Sequence, residues 1–580
     1  MKRSQQTLTI LAALVALVLA ATACGGGGAD SAGPSGTDEA SRPGSSVQAP
    51  SATKNDVNPV ARDQLQDGGT LRWPLDQIPA NYNYNQLDGP EVSNAEVISA
   101  LLPGMFDFDA ASAPRLKREY VESVELTASD PKQVVTYRIN PKAIWYDGTP
   151  ITVADFQAQW KALNGSNPAY KVASTQGYDK VERVAKGRDE REVVVTYKTK
   201  FADWRGLFSP LYPASTSADP KVFNDGWRQK PLTTAGPFKL ESIDKTAKTI
   251  TLVRNERWWG RPAKLERIIY RVIDGDARVD ALANGEIDFM DIGSNVNNFR
   301  RAQAIKGVTL RRAGGPAFTH ITINGASEVL QDARVRKALA MGINREGIAQ
   351  ALIGPLGVPT TPLGNHIFMA NQEGYQDNAG DLGRHNPERA RALLDEAGWR
   401  LAGNVRAKDG KQLAVRYVVP AQAAQNKQIA ELVQGMLGQI GMKVEIETVP
   451  GADLFTKYLI PGNFDVAAFA WGGTPFPISS SKSIYVKPKP GPDGQPDVQQ
   501  NFARVGSDQI DRLFDQATAE LDPAKASQIA NEIDAKIWQE VHSVALYQRP
   551  EIVATNTNLA NFGAFGFASA VYEDIGLTKP

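Results

Sequence analysis

Cysteine is nearly absent from this chain. Cys24 is the only one in 580 residues, so no disulfide framework can hold the fold and no thiolate cluster can bind a soft metal. Histidine is scarce as well: the four are His320, His366, His385 and His542, far apart along the chain, and no His-Glu-x-x-His zinc motif occurs. Net charge is missing, with 64 Lys and Arg against 64 Asp and Glu. A phosphate backbone needs clustered cations, so this balance excludes nucleic acid as a partner. No Gly-x-x-x-x-Gly-Lys-Ser/Thr loop is present to cradle a nucleotide. After residue 23 no apolar run approaches the ~20 residues that cross a bilayer.

What is present begins at the N-terminus. Lys2 and Arg3 precede an apolar stretch from Leu8 to Ala23 that only Thr9 and Thr22 interrupt, the pattern of an export signal over residues 1–23. It ends in Ala21-Thr22-Ala23-Cys24, followed by Gly25–Gly28. Small residues ahead of a cysteine suit a peptidase that leaves the thiol free for acylation, and the segment resembles a bacterial lipobox, with Ala21 where Leu is usual. Cys24 is therefore the expected lipidation site and the expected attachment to the membrane. From residue 24 to 66 the chain is rich in Gly, Ser, Ala, Pro and Asp. Such a composition buries too little apolar surface to offset chain entropy, and reads as a disordered tether.

The remainder is long enough for two or three domains, with the 42% hydrophobic content of an ordinary globular protein. Strand-like runs at 69–74, 134–139, 193–197, 249–254, 268–273 and 443–448 mix with helical patterns throughout, which predicts an α/β fold. Thr152 and Asp155 are spaced as a capping box ahead of Phe156, Trp160 and Leu163. Asn386-Pro387 and Asp522-Pro523 each place a cap before a proline at a first helical position.

The order of several stretches then resembles a known family. Trp145-Tyr146-Asp147-Gly148-Thr149-Pro150-Ile151-Thr152-Val153-Ala154-Asp155-Phe156 is similar to the hallmark segment of the family 5 extracellular solute-binding proteins, the oligopeptide, dipeptide and nickel binders. Gly236–Leu240, Val253–Gly260, Gly285–Asp288, Asp332–Leu339, Asn386–Trp399 and Asp511–Trp538 follow in the family's order. The resemblance covers essentially everything from Gly68 onward. It implies a two-lobed periplasmic-binding-protein-like fold, type II, of the large class with an extra subdomain, closing about a hinge. By that analogy the first lobe comprises 67–93, 233–316 and 543–580, the extra subdomain 94–232, and the second lobe 317–542. Most motif residues also have a plain structural reading as turns and caps.

The same resemblance points to Ala468–Pro477 as the ligand loop. Trp471, Gly472 and Gly473 keep the pattern of the peptide-binding relatives, but Thr474 stands where they carry the aspartate that pairs with a peptide's amino group. A neutral hydroxyl cannot compensate a desolvated ammonium. Either another acid substitutes, with Asp88 the candidate, or the ligand has no free amino terminus. Gln86 and Asp88 are expected to face the cleft from the first lobe, Asn324 to sit at the hinge, and Phe476 to stack on the ligand. Trp471 reads equally well as a core residue, and Asp88 as a solvated loop acid.

Enzyme readings find no support. Ser479-Ser480-Ser481-Lys482 matches a Ser-x-x-Lys motif, but no Lys-Thr-Gly follows. A nickel chelate held by His366 or His320 is the weaker alternative to plain structural histidines. No catalytic residue, metal or cofactor is expected. The predicted function is a monomeric receptor of an ABC importer that binds peptides or related small ligands and delivers them to permease subunits. The alternative on the same scaffold is an envelope lipoprotein acting in assembly of mannosylated phosphatidylinositol lipoglycans.

Overall fold

The computed structural model describes residues 55–491 and 496–579. The signal segment, Cys24 and most of the predicted tether lie outside the described residues. The tether assignment is corrected at its far end, where residues 55–66 lie against the body. Asp56 and Ala564 exchange backbone hydrogen bonds at 2.9 Å, Asp56 pairs with Arg311 at 2.9 Å, and Arg62 pairs with Asp574 at 2.9 Å. Leu65 is buried. Composition averaged over 24–66 hides these few anchoring side chains behind a polar majority.

Most predicted elements form where their patterns place them. Val134–Ile139 alternates, and its inward residues Val135, Tyr137 and Ile139 are fully buried. The capping box closes as expected: Thr152 Oγ1 accepts from the Ala154 amide and Asp155 accepts from the Thr152 amide, starting Val153–Leu163. Asp522 caps Pro523–Glu540 by accepting from the amides of Ala524 and Lys525.

The strands assemble into three main sheets. One has the order Thr70–Leu75, Arg267–Val272, Thr249–Arg254, Phe238–Asp244, its first pair parallel. A second, antiparallel sheet holds Val121–Ala128, Val134–Ile139, Glu192–Tyr197 and Val181–Lys186. The third has six strands in the order Phe289–Asp291, Ser543–Asn556, Val308–Ile323, Val466–Gly472, Ala414–Pro420, Lys443–Val449.

Two long strands in the third sheet organise the molecule. Val308–Ile323 and Ser543–Asn556 pair antiparallel along their length, with register breaks between Gly314 and Phe318 and between Thr319 and His320. Before the first break they neighbour Phe289–Asp291, and Ala313 and Val553 belong to the same core as Trp73, Phe289 and Phe562. Beyond it Ala317–Ile323 pairs with Val466–Gly472, and alternation sends Ile321 and Ile323 to one core and Phe318 to another on the opposite face. The paired strands thus run from one packed body into the next, with the ladder interrupted between the two. An interrupted ladder bends more readily than a continuous one, which makes this the natural pivot. Among the described residues no helix is long and apolar enough to cross a membrane.

Candidate functional site

The Trp471–Phe476 stretch emerges where the strand Val466–Gly472 ends, beside the interrupted ladder. Gly472 pairs with Ala317 and Trp471 with Phe318. The Gly473 amide donates to Pro316 O at 2.6 Å, and a Cβ there would lie 2.9 Å from Met369 Cε and 3.3 Å from the Phe567 ring. Glycine is needed at 473 because the loop passes between those side chains. Gly472 is exposed, and a Cβ there would meet nothing within 4 Å. Its backbone is open to a neighbour.

Trp471 lies beneath this loop, 6% exposed. It stacks on His320 at 5.9 Å and 11° and on Phe502 at 5.8 Å and 17°, and meets Phe469 edge-on at 5.2 Å. These contacts are those of a core residue, the second of the two readings the sequence allows. A cavity of about 20 Å³ beside it, lined in part by Phe318, Met369, Gly472 and Gly473, has room for about one water-sized group.

Thr474 is engaged locally. Its hydroxyl accepts from the Phe476 amide at 3.1 Å and donates to Ser480 Oγ at 3.2 Å, fixing the entry to the helix Pro477–Tyr485. Its carbonyl accepts from Gln372 Nε2 at 2.9 Å. Phe476 reaches across to the other side, edge-on to Phe108 at 5.5 Å and against Gly206. The Ala202 amide donates to Thr518 O at 2.8 Å, and Gln372 Nε2 donates to Ser112 Oγ at 2.9 Å. These bonds draw the two sides together around the ligand loop.

The remaining predicted residues are structural in their contacts. Gln86 is fully buried, and its Oε1 accepts from Asn81 Nδ2 and from the Asp88 amide, which shapes its own loop. Asp88 pairs with Arg228 at 2.5 Å, an arginine it shares with Asp225. Asn324 donates to Phe464 O at 2.7 Å and Gly462 O at 3.2 Å and accepts from the Ala326 amide, tying two turns together. Among the described residues, no hydrogen bond or ion pair joins Gln86 or Asp88 to 471–476.

Apart from His366, sequence reading missed the segment 365–378. Asn371 Nδ2 donates to Gly314 O at 3.1 Å and Asn371 Oδ1 accepts from Gln548 Nε2 at 2.8 Å, so this segment holds both long strands beside the break in their ladder. Its signal is faint: an apolar block, Ile367–Ala370, too short to show a period, followed by two amides.

The histidines, distant in sequence, partly converge. His366 and His542 both pack on Tyr485, at 5.8 and 4.8 Å, and His320 lies close enough to feel both. Among the described residues no group of three or more His, Cys, Asp or Glu is arranged to hold a metal ion. His542 Nε2 faces two acceptors, Ile484 O at 3.1 Å and Asn501 Oδ1 at 3.0 Å, while Nδ1 meets the Ser543 hydroxyl. That pattern fits a neutral ring, and burial pushes its pKa down from 6.5 to about 3. Unfolded, the ring protonates below 6.5; folded, it stays neutral down to about 3. Across this window the unfolded chain binds more protons, so the His542 contribution to stability is lost as pH falls. Going from pH 7 to pH 5 should cost roughly 2 kcal/mol through this ring. His542→Gln should reduce the pH slope of the urea-unfolding free energy by that amount relative to wild type.

Two bodies joined by paired crossing strands, with a loop of glycine amides at the break, define a two-lobed solute-binding protein. The sequence agrees: residues 115–492 match the model of the bacterial extracellular solute-binding proteins, family 5 Middle, and the chain belongs to that family. It is a binding protein, not an enzyme. It is 41% identical over 549 residues, 94% of this chain and 91% of the relative, to the oligopeptide-binding protein OppA of Mycobacterium tuberculosis (strain ATCC 25618 / H37Rv). A probable monoacyl phosphatidylinositol tetramannoside-binding protein, LpqW, from the same strain is 29% identical over 46% of this chain and 42% of its own length. Among solved structures, the periplasmic EDTA-binding protein EppA superposes with a TM-score of 0.81 at 25% identity, covering 91% of this chain and 99% of that one.

Proposed function

We propose that this chain is the extracytoplasmic receptor of an ABC importer, held at the membrane by a lipid on Cys24, that captures oligopeptides between its lobes and delivers them to a permease. The observation that carries this reading is likeness to an oligopeptide-binding protein along nearly the whole chain, so that both lobes and the crossing strands are shared. Closure follows from differential contacts: a ligand that touches both lobes favours the closed arrangement, with no bond made or broken. The lobes are taken as 67–93 with 233–316 and 543–580, the extra subdomain as 94–232, and the second lobe as 317–542. In this reading Gly472 and Gly473 offer backbone groups to the ligand, the Gly473 amide excepted because Pro316 O holds it, and Phe476 guards its edge. Trp471, Thr474, Asn324, Gln86 and Asp88 act by holding loops in place.

Native mass spectrometry of the full chain, before and after mild denaturation, tests this. Ligands enclosed in such a cleft leave slowly and survive purification. A released series of peptide masses is the expected result. A released mannosylated lipid would replace it with the lipoglycan role, which now rests on a likeness covering less than half of this chain.

A further inference from the structure

Carboxylates without counter-ions gather where the crossing strands enter the first body, Asp291 among them accepting only from the Gly293 amide at 2.8 Å among the described residues. Along Ser543–Asn556, strand alternation puts Arg549, Glu551 and Val553 on one face, and Val553 pairs in register with Asp291. Glu96, from the helix Val92–Ser99, feels the charges of Asp76 and Asp291, and Glu551 feels that of Asp291. Arg278 is taken by Asp76 at 2.5 Å. Among the described residues, Glu96, Asp291, Glu551 and Arg549 form no ion pair, which leaves three acids against one guanidinium. Asp291 is solvent-exposed, and Glu96 and Glu551 are only half-buried, so the group is reachable.

Two buried polar groups nearby are also unsatisfied. Trp73 Nε1, on a side chain 7% exposed, points toward the Glu96 carboxylate and closes no hydrogen bond of ordinary geometry. Ser294 Oγ, on a residue 4% exposed in the turn after Asp291, has no partner. The cluster is tied to the ligand loop as well. Glu551 Oε2 accepts from the Gly566 amide at 2.5 Å, and the next residue, Phe567, packs against Gly473.

We propose that Glu96, Asp291 and Glu551 form a subsite that receives a cationic group of the ligand, an alkylammonium or a guanidinium. The proposal deepens the solute-capture reading and rests on it. Like charges held together are costly, and an arriving cation removes that cost. Although each residue keeps some exposure, desolvation by the protein around the carboxylates pushes those of Glu96 and Glu551 up to about 8 and raises that of Asp291. Near neutral pH the free site therefore holds protons that a cation displaces, and cation affinity rises with pH toward 8. The groups facing these acids are Asp76, Arg278, Arg549, and the hydroxyls of Tyr270 and Tyr572, whose pKa values burial raises further.

Calorimetric titration of the full chain at pH 7, in two buffers of different ionisation heat, tests the subsite. The probes are 1,5-diaminopentane, trialanine, N-acetyl-trialanine and N-acetyl-trilysine. Cationic probes should bind with proton release, and Glu551→Gln and Asp291→Asn should each weaken them at least about tenfold, a larger loss than either variant causes for N-acetyl-trialanine. Trialanine favoured over N-acetyl-trilysine assigns the subsite to an amino terminus; the reverse assigns it to a side chain. A wild type that binds N-acetyl-trialanine as tightly as the cations overturns the subsite and leaves peptide capture standing. Binding of the diamine without any peptide keeps the subsite and removes the peptide reading; no binding of any cation overturns the proposal. Removing an uncompensated acid should also raise the thermal midpoint of Glu551→Gln above wild type at pH 8.5, which separates loss of the site from loss of the fold.

Discussion

Asp534→Ala should lower the free energy of unfolding by about 3–5 kcal/mol, because it strips several buried donors of their acceptor at about 1–3 kcal/mol each. Asp534 and His366 are fully enclosed: both side chains are 0% exposed, with His366 Nδ1 2.8 Å from Asp534 Oδ1. The other ring nitrogen faces Ser543 O at 3.2 Å. Asp534 also accepts from the His366 amide and from Asn378 Nδ2, both at 2.8 Å. Alanine would leave those donors and the ring without an acceptor in a site that water cannot reach. The damage should spread to the ligand loop. The same segment, 365–378, carries Gln372, which holds Thr474 O, and Asn371, which braces the break in the long strands. Asp534→Asn, keeping the shape but not the charge, should cost less than Asp534→Ala. Equilibrium urea unfolding of both variants measures the difference. An Asp534→Ala loss below about 1 kcal/mol would show that the network is not needed.

The fold was readable wherever local chemistry and periodicity agree. The capping box at Thr152 and the cap-and-proline at Asp522 form as their spacing requires, because each is satisfied within four residues of chain. Val134–Ile139 and Thr249–Arg254 appear with the boundaries that alternation gives them. Residues 55–66 were not readable: their anchors, Arg311, Ala564 and Asp574, lie hundreds of positions away. The candidate site divides in the same way. Family likeness found the Trp471-Gly472-Gly473 loop and the strand that delivers it, but not the direction of each side chain. Asp88 reads as a free acid until Arg228, 140 residues on, is seen beside it. Glu96, Asp291 and Glu551 belong to no motif; Asp291 and Glu551 meet through the register of strands distant in sequence, and Glu96 comes to them from the helix Val92–Ser99. The part of the site that tertiary packing builds is the part that spacing cannot report.

Trp471 separates support of the ligand loop from contact with the ligand. Trp471→Ala should cost about 3–5 kcal/mol, the usual penalty for emptying a buried aromatic site, since the indole fills the space between His320 and Phe502. His320 adds to the penalty. Its ring is fully buried, among the described residues neither nitrogen closes a hydrogen bond of ordinary geometry, and burial holds its pKa well below 6.5, so it persists as a neutral ring among aromatics. Removing the indole stacked on it would admit water to a layer built without hydrogen bonds. The strand end would then loosen, and Gly473 would lose the fixed bond to Pro316 O that aims the loop. Trp471→Phe discriminates between the two roles. It restores an apolar ring to the stack and should recover all but about 1–2 kcal/mol of the stability. If the tryptophan only supports the loop, Trp471→Phe should bind the copurified ligand within about threefold of wild type, a difference of well under 1 kcal/mol. Wild-type-like stability with affinity reduced a hundredfold would instead place the indole against the ligand, despite its 6% exposure.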